Sequence, residues 1–469
     1  MKKLILVILF MVGYGDVDAQ FNKLAKESPG KYMKGFQEFT GKNPNADSAY
    51  YCLQKLNARE EYYRFFEMTM YSNLADGLIR KDLSRLDSAR IIQEDKKKIL
   101  YTQVLTKIMA DSSKKLVEIA KPIWYFTKIQ DSHTDVLESK KLTQEFINTQ
   151  LLPNLICANK TGTFGLMIYQ IISKKSALKP LAEQLFTRVS NHLKNNQIFL
   201  TDSITRAELS KRAWHRYMYA YVNFVKANEA KDLVKKEYFL KMASNYSPDH
   251  LDQVYDSYVY DSSLLFDIEK KGFNDDYLNF IESNNADKTK ILNTLLSISL
   301  LEPTNKDRLK AYYKKYDSSG KSFDDYWKIA VNNSGKVAPN VSLTQLDTKV
   351  FSSQEWSGKW ILLDFWGTWC AGCVAEHPDL QKLYDAFILS PNKDITLLTI
   401  ACQDTPEEVL TYMQKKKYSF PVAMSDNKIE KKFALTGYPT KILISPKEKY
   451  ITIPGGTDWV NFVKQYTNL

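Results

Sequence analysis

Trp360-Ile361-Leu362-Leu363-Asp364-Phe365 runs directly into Trp366-Gly367-Thr368-Trp369-Cys370-Ala371-Gly372-Cys373. The first six residues read as a buried strand, and the two cysteines open a helix. Helical spacing brings their sulfurs within bonding range, so the pair can close a small, reversible disulfide. Unpaired backbone N–H groups at the helix start favour a thiolate on Cys370. Zinc sites use the same Cys-x-x-Cys spacing but need two more ligands. The five cysteines are Cys52, Cys157, Cys370, Cys373 and Cys402, with no second Cys-x-x-Cys and no spaced His pair. The pattern points to thiol chemistry and to no metal.

Around this junction the pattern alternates between strand and helix. Val341–Leu343 and Val350–Phe351 read as short strands about a turn at Asp347. A helix is predicted from Cys370 to about Phe387, then a strand at Ile395–Ala401 and a helix at Pro406–Lys417. A short strand near Val422, a helical turn over Lys428–Phe433, a hairpin of Thr440–Ser445 with Tyr450–Ile453, and a closing helix at Thr457–Tyr466 follow. A β-α-β unit followed by a β-hairpin and a helix is the thioredoxin arrangement.

Upstream the pattern is helical. Glycine is absent between Gly77 and Gly162 and between Gly165 and Gly272, which fits long helices. Tyr101, Val104, Leu105 and Ile108 mark one apolar face. Pro44, Pro122, Pro153, Pro180, Pro248 and Pro303 are expected to start or stop helices. Tyr217, Tyr219, Tyr221 and Phe224 could line a peptide groove, but helix-packing core is the better reading. The polar stretch Asn332-Asn333-Ser334-Gly335-Lys336 marks the boundary. The chain is thus expected to be multidomain: a signal peptide at 1–19, an all-α domain at 20–335, and an α/β thioredoxin-like domain at 336–469, its central mixed sheet flanked by helices.

Lys2, Lys3, an apolar run from Leu4 to Val12 and Val17-Asp18-Ala19 have the order of a cleaved secretory signal. Export to the periplasm or cell envelope of a bacterium is therefore expected, where disulfides persist. No other stretch is apolar and long enough for a membrane span, so none is expected in the mature chain. The net charge of +11 resides in the first 336 residues, which carry 51 basic against 40 acidic residues. Those charges are interspersed, the mark of solvated helices; nothing points to nucleic acid. Cys52 and Cys157 both lie in the helical part, where sequence spacing fixes no distance between them, and Cys402 is expected to be a buried, inert thiol.

Ala338-Pro339, Gly358-Lys359, Leu363-Asp364-Phe365-Trp366, Trp369-Cys370-Ala371-Gly372-Cys373, Glu376, Pro378 and Gly437-Tyr438-Pro439-Thr440 together resemble a thioredoxin-like domain of the TlpA/ResA type. These are exported bacterial thiol–disulfide oxidoreductases, and the likeness covers roughly the last 130 residues. The resemblance implies that Cys370 attacks a substrate disulfide and Cys373 resolves the mixed disulfide. It implies that Asp364, through water, takes the proton of the resolving cysteine, and that Glu376 tunes the pair. A tolerated strand-edge Asp and a surface helix Glu are the plain alternatives. It also implies a cis Tyr438-Pro439 bond opposite the cysteines, with Trp369, Tyr438 and Pro439 receiving substrate. Trp366 and Trp369 are expected to flank the disulfide, and His377 to be an exposed neighbour.

Two carboxylates near the pair would oppose a very acidic thiolate, which favours a reductant or isomerase over an oxidant, with reduction of disulfides in exported proteins the preferred reading. Disulfide-containing or thiol proteins of the cell envelope are the expected partners. Electrons would come from an upstream thiol donor, since no flavin or nicotinamide fingerprint occurs and no cofactor is expected. A peroxiredoxin-like peroxidase is a second reading, because Ala338-Pro339 opens that group too. Its Pro-x-x-x-Thr-x-x-Cys setting is missing here. A third reading makes the helical half a polypeptide binder with an accessory redox domain.

Overall fold

The computed structural model describes residues 28–79, 88–131, 133–158, 160–196, 206–249, 252–253, 257–266, 269–284, 286–317, 319–356, 358–388, 395–435 and 437–468. The expected signal segment lies outside them. The described chain is helical up to Asn333 and turns to α/β from Lys336. Two compact units emerge, one of residues 21–197 with 258–271, the other built on 198–257 with 272–469.

In the first unit, successive helices pack as an array of hairpins, among them Pro29–Thr40, Ala46–Asn57, Ser88–Met109, Lys114–Gln130 and Thr161–Ile172. Side-chain caps start several of them. Asn45 accepts from the Ser48 N–H, Ser113 from Leu116 and Asp135 from Glu138. The predicted face of Ser88–Met109 is buried at Val104, Leu105 and Ile108. Pro122 departs from expectation, because it sits inside Lys114–Gln130 instead of ending it. An interior proline costs ~3 kcal/mol. The stripe Leu116, Ile119, Ile123 and Phe126 runs past it, and burial contributes about 1.5–3 kcal/mol for each large apolar side chain. Packing outweighs the break.

The second unit carries the helices Arg206–Glu229 and Leu233–Asn245, those from Asn274–Ser283 to Phe323–Asn333, and the α/β domain. Tyr217, Tyr219 and Tyr221 are buried, so these rings pack in a core and line no groove. Trp327, on the last helix before the sheet, donates to the Tyr466 carbonyl at 3.2 Å and meets the Tyr466 ring edge-on. The polar boundary is a tight turn. Gly335 has φ +90°, and a Cβ there would lie 2.1 Å from the Tyr450 carbonyl oxygen.

The α/β domain has strands β1 (Lys336–Val337), β2 (Ser342–Thr344), β3 (Val350–Ser352), β4 (Trp360–Trp366), β5 (Ile395–Ala401), β6 (Val422–Met424), β7 (Thr440–Ile444) and β8 (Lys449–Thr452). Its helices are α1 (Ala371–Leu383), α2 (Pro406–Lys416), α3 (Ile429–Lys432) and α4 (Trp459–Thr467). The mixed six-stranded sheet runs β1-β8-β7-β4-β5-β6, and β2 and β3 form a separate hairpin. β4 and β5 are parallel and buried along their whole length, which is why both read as nearly continuous apolar runs. β7 lies antiparallel on the other side of β4. The central strand β4 therefore delivers Asp364 into the interior and the cysteines to the edge of the sheet. β1 was not predicted: two exposed residues carry no alternation to read.

Candidate functional site

Cys370 caps α1, its Sγ accepting the Cys373 N–H at 3.2 Å. The two cysteines are joined as a disulfide, with their Cα atoms 5.3 Å apart. Both cysteines are buried, Cys370 at 5% and Cys373 at 1% exposure, so Cys370 is the less deeply covered residue. The Tyr438-Pro439 bond is cis. A Cβ built on Gly372 would sit 3.5 Å from Pro439 Cδ, which puts the cis bond against the helix start that bears the cysteines. Trp369 is half-buried, its ring edge-on to Tyr438 at 5.5 Å, and its Nε1 donates to the Cys402 carbonyl at 3.1 Å. The three residues expected to receive substrate are thus brought together.

The loop ahead of Cys370 is held by a carboxylate that the sequence reading passed over. Asp404 accepts from the Thr368 N–H at 2.8 Å and the Thr368 hydroxyl at 2.6 Å. Trp366 is fully buried in the apolar cluster that includes both cysteines.

Asp364 is 2% exposed, and an unpaired charge there would be costly. Its partner is Lys441, directly opposite in the β4–β7 register, with Nζ 3.1 Å from Oδ1. The same ammonium bonds Glu376, one turn along α1 from Cys373, and lies 4.6 Å from the Trp459 ring centroid. Burial pushes the Lys441 ammonium down, but Asp364 and Glu376 outweigh it and leave its pKa above the ordinary value. Lys441 was missed by sequence reasoning. The available signal was a lone lysine in the apolar run Thr440-Lys441-Ile442-Leu443-Ile444.

His377 corrects a second expectation. It is 1% exposed, its Nδ1 lies 2.7 Å from the Tyr412 hydroxyl, and its ring stands edge-on to Trp366. The cause is long-range: Tyr412, Tyr418 and Phe420 close over the α1 face that carries it. Desolvation lowers its pKa from 6.5 to about 4, with Asp364 opposing and Lys441 reinforcing the shift.

Cys402 is buried and free, its thiol pushed well up by burial and then by Glu430. Cys52 and Cys157 are not joined to each other: the former is buried, and the latter is exposed with its Sγ 3.4 Å from His192 Nε2. Among the described residues no group of three or more His, Cys, Asp or Glu is arranged to hold a metal ion.

Residues 334–451 match the AhpC/TSA family. With the sheet order and the helix-capping disulfide, this makes the C-terminal part a thioredoxin-like domain of AhpC/TSA type, preceded by a large helical region. Its homologues include ResA proteins. Over 118 residues the chain is 31% identical to the thiol-disulfide oxidoreductase ResA of Bacillus thuringiensis subsp. konkukian (strain 97-27). That stretch is 25% of this chain and 66% of the relative, just under two thirds of its length. The Bacillus subtilis (strain 168) ResA is 27% identical over 136 residues, 29% of this chain and 74% of that one. A thioredoxin-family thiol:disulfide interchange protein from Chlorobium tepidum TLS aligns with a TM-score of 0.26 at 26% identity, covering 28% of this chain and 94% of its own.

Proposed function

We propose that this chain is an exported thiol–disulfide oxidoreductase that reduces disulfides of cell-envelope proteins through the Cys370/Cys373 dithiol. The observation that carries the reading is the disulfide at the start of α1 with the cis Tyr438-Pro439 bond against it. The homology to ResA proteins supports it. In the reduced enzyme the Cys370 thiolate attacks one sulfur of a substrate disulfide. The substrate S–S bond breaks, a Cys370–substrate S–S bond forms, and the other substrate sulfur leaves as a thiolate that takes a proton from water. Cys373 then gives its proton, through water, to Asp364, attacks Cys370 Sγ and releases the second substrate thiol. The enzyme is left as the Cys370–Cys373 disulfide, which a thiol carrier must reduce. Trp369, Tyr438 and Pro439 receive the substrate backbone, and Glu376 tunes the pair.

Asp364 and Glu376 outnumber the single ammonium of Lys441, so the charge beside the pair stays negative. A negative site disfavours the very acidic thiolate of a strong oxidant, which supports the reducing direction. Export rests on the order of charge, apolar run and small residues in 1–19. No helix among the described residues is long and apolar enough to cross a membrane. Residues 20–335 are read as the helical domain and 336–469 as the redox domain.

Insulin reduction with a dithiol donor tests the reading. Cys370→Ser should abolish turnover, and Cys373→Ser should accumulate mixed disulfides whose captured partners in the native host name the substrates. A Cys370→Ser protein as active as the wild type would overturn the proposal.

A further inference from the structure

The buried lysine opposite Asp364 enters the charge balance above but has no role of its own in the exchange steps. Lys441 is 5% exposed, and an ammonium at that depth is disfavoured unless its bonds are met by anions. Its neighbours come from three elements. Asp364 faces it from β4, Glu376 and the neutral His377 from α1, and the Trp459 ring from α4. One cation therefore serves two carboxylates, at a point one helical turn from Cys373.

We propose that Lys441 is a positioning residue for thiol exchange: it holds the Asp364 and Glu376 carboxylates together and offsets one of their two charges, so that Cys370 and Cys373 form thiolate against a net charge of minus one instead of minus two. This rests on the dithiol reading of the site. The arrangement has a built-in control. Taking away the ammonium should hinder thiolate formation, and taking away Glu376 along with it should restore the balance. A residue that served packing alone would give no such cancellation, because the second substitution would add damage to the first.

The test is the pH dependence of alkylation of the reduced pair by iodoacetamide, read residue by residue. In Lys441→Met the Cys370 midpoint should move up by about one unit, about a tenfold slower reaction at neutral pH. Lys441→Arg should keep the wild-type midpoint, and the double variant Lys441→Met/Glu376→Gln should return most of the way to it. A Lys441→Met midpoint equal to the wild type, or a double variant shifted further than the single, would overturn the inference. If Lys441→Met does not fold, Glu376→Gln alone must move the midpoint down, and an unchanged value would overturn it equally. A wild-type pair that no dithiol buffer opens would instead refute the dithiol reading itself, which keeps the two failures apart.

Discussion

Two buried charge clusters in this chain are built in different proportions. Among the helices, the fully buried Asp252 takes Arg212 and Arg216, the latter at 2.9 Å, and Arg212 also takes Asp249 at 2.7 Å. Two cations meet two anions, and the guanidinium forks fix the geometry. Beside the disulfide a single Lys441 meets both Asp364 and Glu376. The helical cluster acts as a brace between helices, although burial and the neighbouring Asp249 raise the Asp252 carboxyl to about 7 against the pull of Arg212 and Arg216. On the proposal above, the cluster with one cation for two carboxylates is the one whose charge bears on the neighbouring sulfurs.

The comparison breaks most visibly at the brace. Arg212→Met leaves Asp252 with one cation and takes the guanidinium from Asp249, and losing one partner of a buried pair costs about 3–5 kcal/mol. Urea unfolding should show that loss. A change below about 1 kcal/mol would mean that the helical cluster is not a brace.

The next effect belongs to His377, on the same helix as Glu376. Its pKa of about 4 in the folded chain lies below the ordinary 6.5. Between these values the unfolded chain binds more protons, so stability is intact above about pH 6.5 and falls as pH drops towards about 4. Going from pH 7 to pH 4.5 this one group should remove about 2 kcal/mol. His377→Leu should abolish that part of the acid sensitivity in urea titrations at the two pH values. An unchanged difference would place the acid-labile group elsewhere.

Lys441 and His377 show where the sequence pattern stops being informative. Asp364 and the cysteines were legible because each breaks a local pattern: a carboxylate in an apolar strand, two thiols at a helix start. The order of strands and helices after Trp360 followed from the same periodicity. Lys441 breaks its apolar run in the same way, but its role was not legible, because its partner Asp364 lies 77 positions earlier and is brought opposite it only by the pairing of β7 with β4. His377 sits beside a real signal, Glu376, yet its environment is made by Tyr412, Tyr418 and Phe420 from beyond the next strand. Pro122 failed for a related reason, since a local helix breaker was overridden by tertiary packing. Patterns within a dozen residues were readable; burial decided across the sheet was not.

Trp369 sharpens the contrast between binding and charge. Its ring meets Tyr438 on the cis-proline side, so Trp369→Ala should lower kcat/KM for insulin about tenfold, the loss of one aromatic contact of about 1.4 kcal/mol. The alkylation midpoint of Cys370 should stay in place. A shift of that midpoint matching the one expected for Lys441→Met would show that the two residues act through one cause.

The smallest effect is expected at Asp404, the third carboxylate near the cysteines. Unlike Asp364 and Glu376, it is bound by an N–H and a hydroxyl of the loop, both from Thr368, two residues before Cys370. Such bonds to a charged acceptor are worth about 1.5–3 kcal/mol when buried, and less at this partly exposed position. Asp404→Asn keeps one acceptor oxygen while removing the charge. If Asp404 works by geometry, the variant should slow insulin reduction by about threefold, under 1 kcal/mol, and leave the alkylation midpoint where it was. If its charge mattered as those of Asp364 and Glu376 do, removing it would ease thiolate formation and move the midpoint down. The sign of that shift would then add a third anion to the unbalanced cluster, and Lys441 alone would no longer account for the charge beside the pair.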